Sequence, residues 1–216
     1  RSLAGARSES RIKFLEACEI RKKLVSNNNL RILEVGLGIG CNLSETLKLL
    51  RETGNECFLD YVCIENDMSG LEKAISVGIV EDVDMPVMNG LVRDAFYVGD
   101  SFRVTLLKSE ARIAVSNLTG FFDAVYLDPF STDKNVELWT FDFIKKISEH
   151  MKNDCIIATY SSAYPVRGAL LRAGMHLGES PPFGRKRGGT LASFDKTIIS
   201  NPLNEREIRI ISGSTA

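Results

Sequence analysis

Five stretches of the chain place acids and glycines where chemistry could be done. "FDAVYLDPF" (122–130) is an apolar run that ends in Asp128, Pro129 and Phe130. A carboxylate carried to the end of a buried strand can orient or deprotonate a nucleophile, and an aromatic beside it can stack on a planar substrate. "EVGLGIGCN" (34–42) sets Gly36, Gly38 and Gly40 behind Glu34 and ahead of Asn42. Such glycines let backbone approach a ligand closely, and the amino terminus of the helix that follows attracts an anionic group. Glu65 ends the next apolar run, about 25 residues beyond the loop, where an acid can accept both hydroxyls of a ribose. Two residues compete to be the third acid, Asp100 in "VGDS" and Glu110 in "KSEA". The short crossover from Glu110 to Asp128 suits one brief helix between adjacent strands, whereas Asp100 falls in a hairpin turn. Glu110 is therefore preferred for the adenine side of a nucleotide pocket.

Each of these residues also has a plainer reading. Asp128-Pro129 could open a turn, Glu65 could be a solvated strand end, and the glycines could make a tight turn that holds no ligand. Trp139 reads better as a core anchor than as a substrate contact. For Asp128 the functional reading leads, because of where the run from 122 to 128 delivers it.

The elements that must position these residues follow from periodicity. "LRILEV" (30–35), "CFLDYVCIE" (57–65), "FDAVYLD" (122–128) and "DCIIATY" (154–160) read as buried strands, and "AFYVGDSFRVTLLKSE" reads as a hairpin. Helical spacing marks 8–25, the stretch after Gly40, a helix capped by Ser69 and stopped by Gly78, 111–118, "FDFIKKISEHM", and a segment with Pro165 in its first turn. Residues 79–93 read as loop. "MHLGE" and "GTLASF" finish the sheet as a close antiparallel pair. The expected architecture is α/β, a Rossmann-like, mostly parallel seven-stranded sheet with an antiparallel edge hairpin. A helical segment (1–28) precedes the main domain (29–200), and a tail (201–216) follows it.

The chain has 216 residues, 44% hydrophobic and 25% charged, with a net charge of −1. One sizeable core is expected, and any nucleic-acid partner must be held by a local patch rather than by the summed field. The five cysteines form no C-x-x-C pair and the two histidines have no metal-ligand spacing, so no metal is expected. Reduced thiols fit a cytoplasmic setting, and no apolar run reaches the length of a membrane span.

The G-x-G-x-G spacing behind Glu34 resembles the first motif of Rossmann-like S-adenosylmethionine methyltransferases. Cys41 stands where a dinucleotide fingerprint needs a glycine or alanine. With "GARSESRIKFLEA", "KSEAR", "LDPFSTDKNVELWT", "YSSAYPVRGALLRAGMHLG" and "GRKRGGTLAS", the chain resembles the methyltransferase half of the MnmC family and its single-domain relatives. The likeness runs from about Gly5 to Ser193, with Asn135 to Thr140 and "GRKR" its most specific parts; Ser109, Pro129, Ser131, Thr132 and Val136 depart from the pattern.

The resemblance implies methyl transfer from S-adenosylmethionine to the aminomethyl group of a wobble uridine in tRNA, giving 5-methylaminomethyl-2-thiouridine. Asp128 and Phe130 would be catalytic. Glu34, Gly36, Gly38, Gly40, Asn42, Glu65, Glu110 and Asp128 would bind the cofactor. Arg185, Lys186 and Arg187, glycine-flanked, would hold tRNA phosphates. No flavin is expected in this chain, since it has no room for the oxidase half of the bifunctional proteins. Three rivals stand beside this reading. An aminopropyl transferase would need an acidic channel and no basic loop, an adenine amino-group methyltransferase would use Asp-Pro-Phe on DNA, and a Rossmann ligand-sensing module would lack chemistry altogether.

Overall fold

The computed structural model describes residues 3–54, 56–131, 134–183 and 188–213. Among them, eight strands make one sheet: β1 (Asn29–Val35), β2 (Phe58–Glu65), β3 (Phe96–Val98), β4 (Phe102–Lys108), β5 (Phe122–Leu127), β6 (Met151–Thr159), β7 (His176–Glu179) and β8 (Thr190–Ser193). Their order is β3-β4-β2-β1-β5-β6-β8-β7. β1 lies parallel to both β2 and β5, so the chain winds outward in two directions from it and leaves a crevice at the carboxyl ends of these strands. All six residues of β5 are buried, as a central parallel strand covered on both faces requires. The sheet has one strand more than the seven expected, because the short arm Phe96–Val98 pairs antiparallel with β4. The other antiparallel strand, β8, is not at the rim: it runs between β6 and β7 and opposes both.

Two apolar layers cover the sheet. One face carries Ile32, Tyr61, Cys63 and Tyr126 beneath α2 (Ile20–Ser26), α3 (Cys41–Thr53), α4 (Ser69–Ser76) and α5 (Met85–Asp94), with α1 (Leu3–Ser10) packed on α3. The other carries Leu33, Val62, Val125 and Ile157 beneath α6 (Ala111–Ser116), α7 (Phe141–Ser148), α8 (Tyr164–Arg172) and α9 (Glu205–Gly213).

Local departures from the sequence reading have physical causes. Residues 85–94 form a helix rather than a loop: Pro86 is tolerated in its first turn, and Gly90 is required because a Cβ there would meet the Tyr97 ring at 2.9 Å. The expected helix 8–25 is broken into α1, a π-helical turn (Arg11–Glu16) and α2, with Glu19 left-handed at φ 54°. Phe14, Leu15, Cys18, Ile20 and Leu24 are all buried, and they span too wide an arc for one straight helix to bury; Val25 is exposed. Ser69 does not cap α4; its N–H donates to Asp67 Oδ1 at 2.9 Å. The segment after residue 200 is not featureless, for α9 buries Ile211 against the second layer. All five cysteines are free thiols, and among the described residues no helix is long and apolar enough to cross a membrane.

Candidate functional site

Two cavities open at the carboxyl ends of β1, β2 and β5 and share Gly36, Gly38, Asp128, Pro129 and Phe130. The larger, about 510 Å³, is roofed by Ala6, Glu9, Ser10 and Phe14 of the amino-terminal helical segment. The smaller, about 200 Å³, is walled by Glu65, Asn66, Asp67, Glu110, Asn135 and Glu137.

The Asp-Pro-Phe segment between them is fixed through its backbone. Asp128 N donates to Val35 O at 2.9 Å. Tyr160 Oη donates to Pro129 O at 2.9 Å, and Trp139 Nε1 donates to Phe130 O at 3.0 Å. Trp139 is 5% exposed and sits edge-on to Tyr160, 5.7 Å between ring centroids, so its role is to anchor the segment from the core. The Phe130 ring is 64% exposed, with Lys134 Nζ 5.6 Å from its centroid. A buried framework thus presents an aromatic face to solvent.

The glycine loop passes directly against that segment. At Gly36, φ 90°, a Cβ would lie 2.6 Å from the Asp128 carbonyl oxygen, so only glycine allows the ends of β1 and β5 to come this close. Gly38, φ 56°, meets nothing within 4 Å and faces open space. Gly40 differs from both. It lines neither cavity, and its missing side chain makes room for Met88, whose methyl would be 3.0 Å from a Cβ. The structure thus brings Gly40 against α5 and not onto either cavity wall.

Glu34 also stands off both cavity walls and is 0% exposed. It lies beneath the loop, where Tyr61 Oη donates to Oε2 and Asn42 Nδ2 donates to Oε1, both at 2.8 Å. Burial pushes its carboxyl up to about 8, against the opposing pull of the Tyr61 and Asn42 hydrogen bonds. Asn42 Nδ2 also donates to Asp128 Oδ2 at 2.9 Å, so one amide joins the buried acid to the cavity acid.

Glu65 curls back on the loop. Its Oε2 accepts from Gly38 N at 3.0 Å, and its Oε1 accepts from Asn66 N and Asp67 N at 2.8 and 3.0 Å. A carboxylate offers about four lone-pair positions, so a diol arriving here must displace one of these bonds to be held by both hydroxyls. Glu110 caps α6, its Oε1 accepting from Arg112 N and Nε at 3.1 and 3.0 Å. Burial alone would raise its carboxyl, but the Arg112 bonds outweigh that and hold it below the usual range. Asp100 stays in the turn between β3 and β4 and lines neither cavity. Arg185, Lys186 and Arg187 lie outside the described residues.

The sequence reading missed Ser10, Tyr61 and Tyr160. Tyr61 had a signal: a tyrosine in a buried strand needs a partner for its hydroxyl, and Glu34 lies on the same face of the neighbouring strand. Ser10 had none, because the break in the amino-terminal helix sets its direction. Among the described residues no group of three His, Cys, Asp or Glu side chains is placed to hold a metal.

Residues 83–195 match a family model described as S-adenosyl-L-methionine-dependent methyltransferase. An uncharacterized protein of Methanocaldococcus jannaschii is 28% identical over 98% of this chain and 58% of its own length. The tRNA 5-methylaminomethyl-2-thiouridine biosynthesis bifunctional protein MnmC of Ralstonia nicotianae is 33% identical over 76% of this chain, which spans 26% of that protein. Among solved structures, MNMC2 from Aquifex aeolicus superposes with a TM-score of 0.80 at 32% identity, covering 94% of this chain and 65% of that one. A Listeria monocytogenes structure described as a class I S-adenosylmethionine-dependent methyltransferase shares the fold, with a TM-score of 0.54 at 17% identity over 91% of this chain and 62% of that one.

Proposed function

The chain belongs to the S-adenosyl-L-methionine-dependent methyltransferase family, and from that premise we propose that it methylates the aminomethyl nitrogen of a wobble uridine in tRNA. One observation carries the reading. Asp128 stands at the end of β5, on the wall common to both cavities, with the backbone on each side of its carboxylate held by Val35 and Tyr160. The bacterial relatives named for 5-methylaminomethyl-2-thiouridine biosynthesis supply the acceptor class.

The residues present suit the cofactor. Gly38 opens onto free space, and Gly36, Glu65 and Glu110 line the smaller cavity, which supports giving Glu65 the ribose diol and Glu110 the adenine side. S-adenosylmethionine bound there supplies an already activated sulfonium methyl. What the chain must do is aim an amine lone pair at that methyl and keep water away.

A free alkylamine with a pKa near 10.4 costs about 4 to 5 kcal/mol to deprotonate at pH 7. A carboxylate beside it stabilises the charged, unreactive form, so Asp128 does not lower the amine's pKa. Its role is to orient the incoming nitrogen by accepting a hydrogen bond and to take the proton that the nitrogen gives up. Glu34, largely protonated at neutral pH because its carboxyl is raised to about 8, adds little further negative charge that would hold the ammonium. Enclosure between the amino-terminal helices and Phe130 removes water and favours the neutral amine. The exposed Phe130 ring is available to stack on the uracil. Arg185, Lys186 and Arg187 are the proposed phosphate contacts.

The test is labelled S-adenosylmethionine with tRNA bearing aminomethyl uridine, the product nucleoside identified by mass. Wild type should form 5-methylaminomethyl uridine, and Asp128→Asn should lower the rate about 100-fold or more, the usual range for a positioned proton acceptor. S-adenosylhomocysteine affinity, measured in parallel, separates loss of proton acceptance from loss of cofactor binding. Transfer to adenine in DNA and none to this tRNA would overturn the reading.

A further inference from the structure

Asn42, the second residue of α3 and 3% exposed, stands where three elements meet. Its Nδ2 donates both hydrogens to carboxyl groups, one to Glu34 Oε1 at 2.8 Å and one to Asp128 Oδ2 at 2.9 Å. Its Oδ1 accepts from Ser10 Oγ at the end of α1. Only one orientation of the amide satisfies these neighbours. Turned over, its oxygen would face the Asp128 carboxylate oxygen, an acceptor, and that bond would be lost. Thr46 Oγ1 ties down the Asn42 main-chain carbonyl at 2.7 Å, so the residue is held at backbone and side chain alike.

We infer that Asn42 is a positioning residue for methyl transfer: it holds the Asp128 carboxylate toward the cavities, and Ser10 sets its amide the right way round. This role rests on the methyltransferase reading of the site. It makes the geometry of the reacting acid depend on the docking of the amino-terminal helix, since Ser10 comes from that helix and lines the larger cavity with Asn42 and Asp128. It also replaces the simpler expectation that Asn42 is a ligand of the cofactor. Both of its N–H groups are already taken by protein carboxyls, so neither is left for a cofactor carboxylate.

The experiment uses the full chain with Asn42→Ala, Ser10→Ala and Ser10→Thr, and three measurements. These are S-adenosylhomocysteine affinity by calorimetry, single-turnover methyl transfer at saturating S-adenosylmethionine, and the side-chain amide signals of Asn42 in a ¹⁵N–¹H spectrum. Loss of orientation should slow transfer about 30-fold in Asn42→Ala and about 5-fold in Ser10→Ala, with Ser10→Thr restoring most of the rate. Affinity should stay within about threefold, because no cofactor contact is removed. In the cofactor-free wild type both Asn42 amide protons should resist exchange with D₂O, and Ser10→Ala or Asp128→Ala should expose them. Ser10→Ala keeps the test valid if Asn42→Ala, which strips a partner from buried Glu34, fails to fold. A cofactor affinity weakened about tenfold or more with the saturated rate preserved would make Asn42 a direct ligand and overturn the assignment. Free exchange of the amide protons in wild type would overturn it as well. If wild type transfers no methyl to the tRNA, the acceptor reading fails while the exchange measurement still judges Asn42.

Discussion

Asp60 and Glu34, near opposite rims of the sheet, are held in opposite ways. At the amino rim, Asp60 accepts from Arg103 Nε and Nη2 at 2.8 and 2.9 Å and from Arg31 Nε at 2.9 Å, while Asp123 accepts from Lys152 Nζ at 2.6 Å and Arg31 N at 2.8 Å. At the carboxyl rim, the hydrogen-bond partners of Glu34 among the described residues are a phenol and an amide, both neutral. The Asp60 carboxyl, which burial alone would raise, is held below its usual range by Arg103 and Arg31; the Glu34 carboxyl, with no cation bonded to it, is pushed up to about 8. One sheet thus compensates its acids where it needs stability. At the other end it leaves Glu34, next to Asp128, bonded only to neutral groups among the described residues.

The sharpest way to break this contrast is pH. Unfolded, a glutamate ionises near 4.5, whereas folded Glu34 ionises near 8. Between those values the native chain keeps a proton that the unfolded chain releases, so native stability falls as pH rises from 4.5 to 8 and the contribution is complete below 4.5. Glu34→Gln removes the titration and nearly keeps the shape. Denaturant melts at several pH values should show wild type losing stability relative to this variant, by an amount on the order of 4 kcal/mol across the window. Parallel curves would mean that Glu34 is ionised in the native state and that the rims do not differ. Asp60 has the reverse sign: its depressed folded value gives stability that is present above 3.8 and lost as pH falls through the folded value. Asp60→Asn should cost about 1 kcal/mol at neutral pH, the scale of a partly exposed ion pair. Methyl transfer in that variant should stay within about twofold of wild type, since the two rims share no partners.

How legible these rims were from sequence follows from what each residue depends on. The glycine loop, Glu65 and Asp128 could be read because each is set by local chain features: a turn, a strand end, a buried run that stops. The helix 85–94 could not, because Pro86 and Gly90 signal a loop unless one knows that the Tyr97 ring lies against Gly90. Glu34 stands out in the sequence by its place before the glycines, but its burial does not. Its depth depends on Tyr61 and Asn42 closing over it, which are pairings across elements. Ser10 was invisible, because its direction depends on the π-helical turn and on Glu19 at φ 54°. The antiparallel hairpin arm that raises the strand count to eight was seen as a hairpin, but its three-residue length made it easy to leave out of the sheet.

A modest effect is expected at the wall between the two cavities. Tyr160 Oη holds the Pro129 carbonyl at 2.9 Å, and the Tyr160 ring also packs edge-on to Trp139, which holds Phe130. Tyr160→Phe keeps the ring contact and deletes only the hydroxyl, so the core anchoring of Phe130 should survive while Pro129 loses its tether. A neutral hydrogen bond contributes about 1 kcal/mol, so the variant should melt only slightly lower. If the tether matters mainly for aiming Asp128, kcat should fall about fivefold with KM for S-adenosylmethionine unchanged, since the interaction is then felt in the transition state alone. A rise in KM with kcat intact would assign the hydroxyl to shaping the cofactor cavity instead. The reacting rim would then owe its geometry to Asn42 and the strand end, not to the framework on the far side of Pro129.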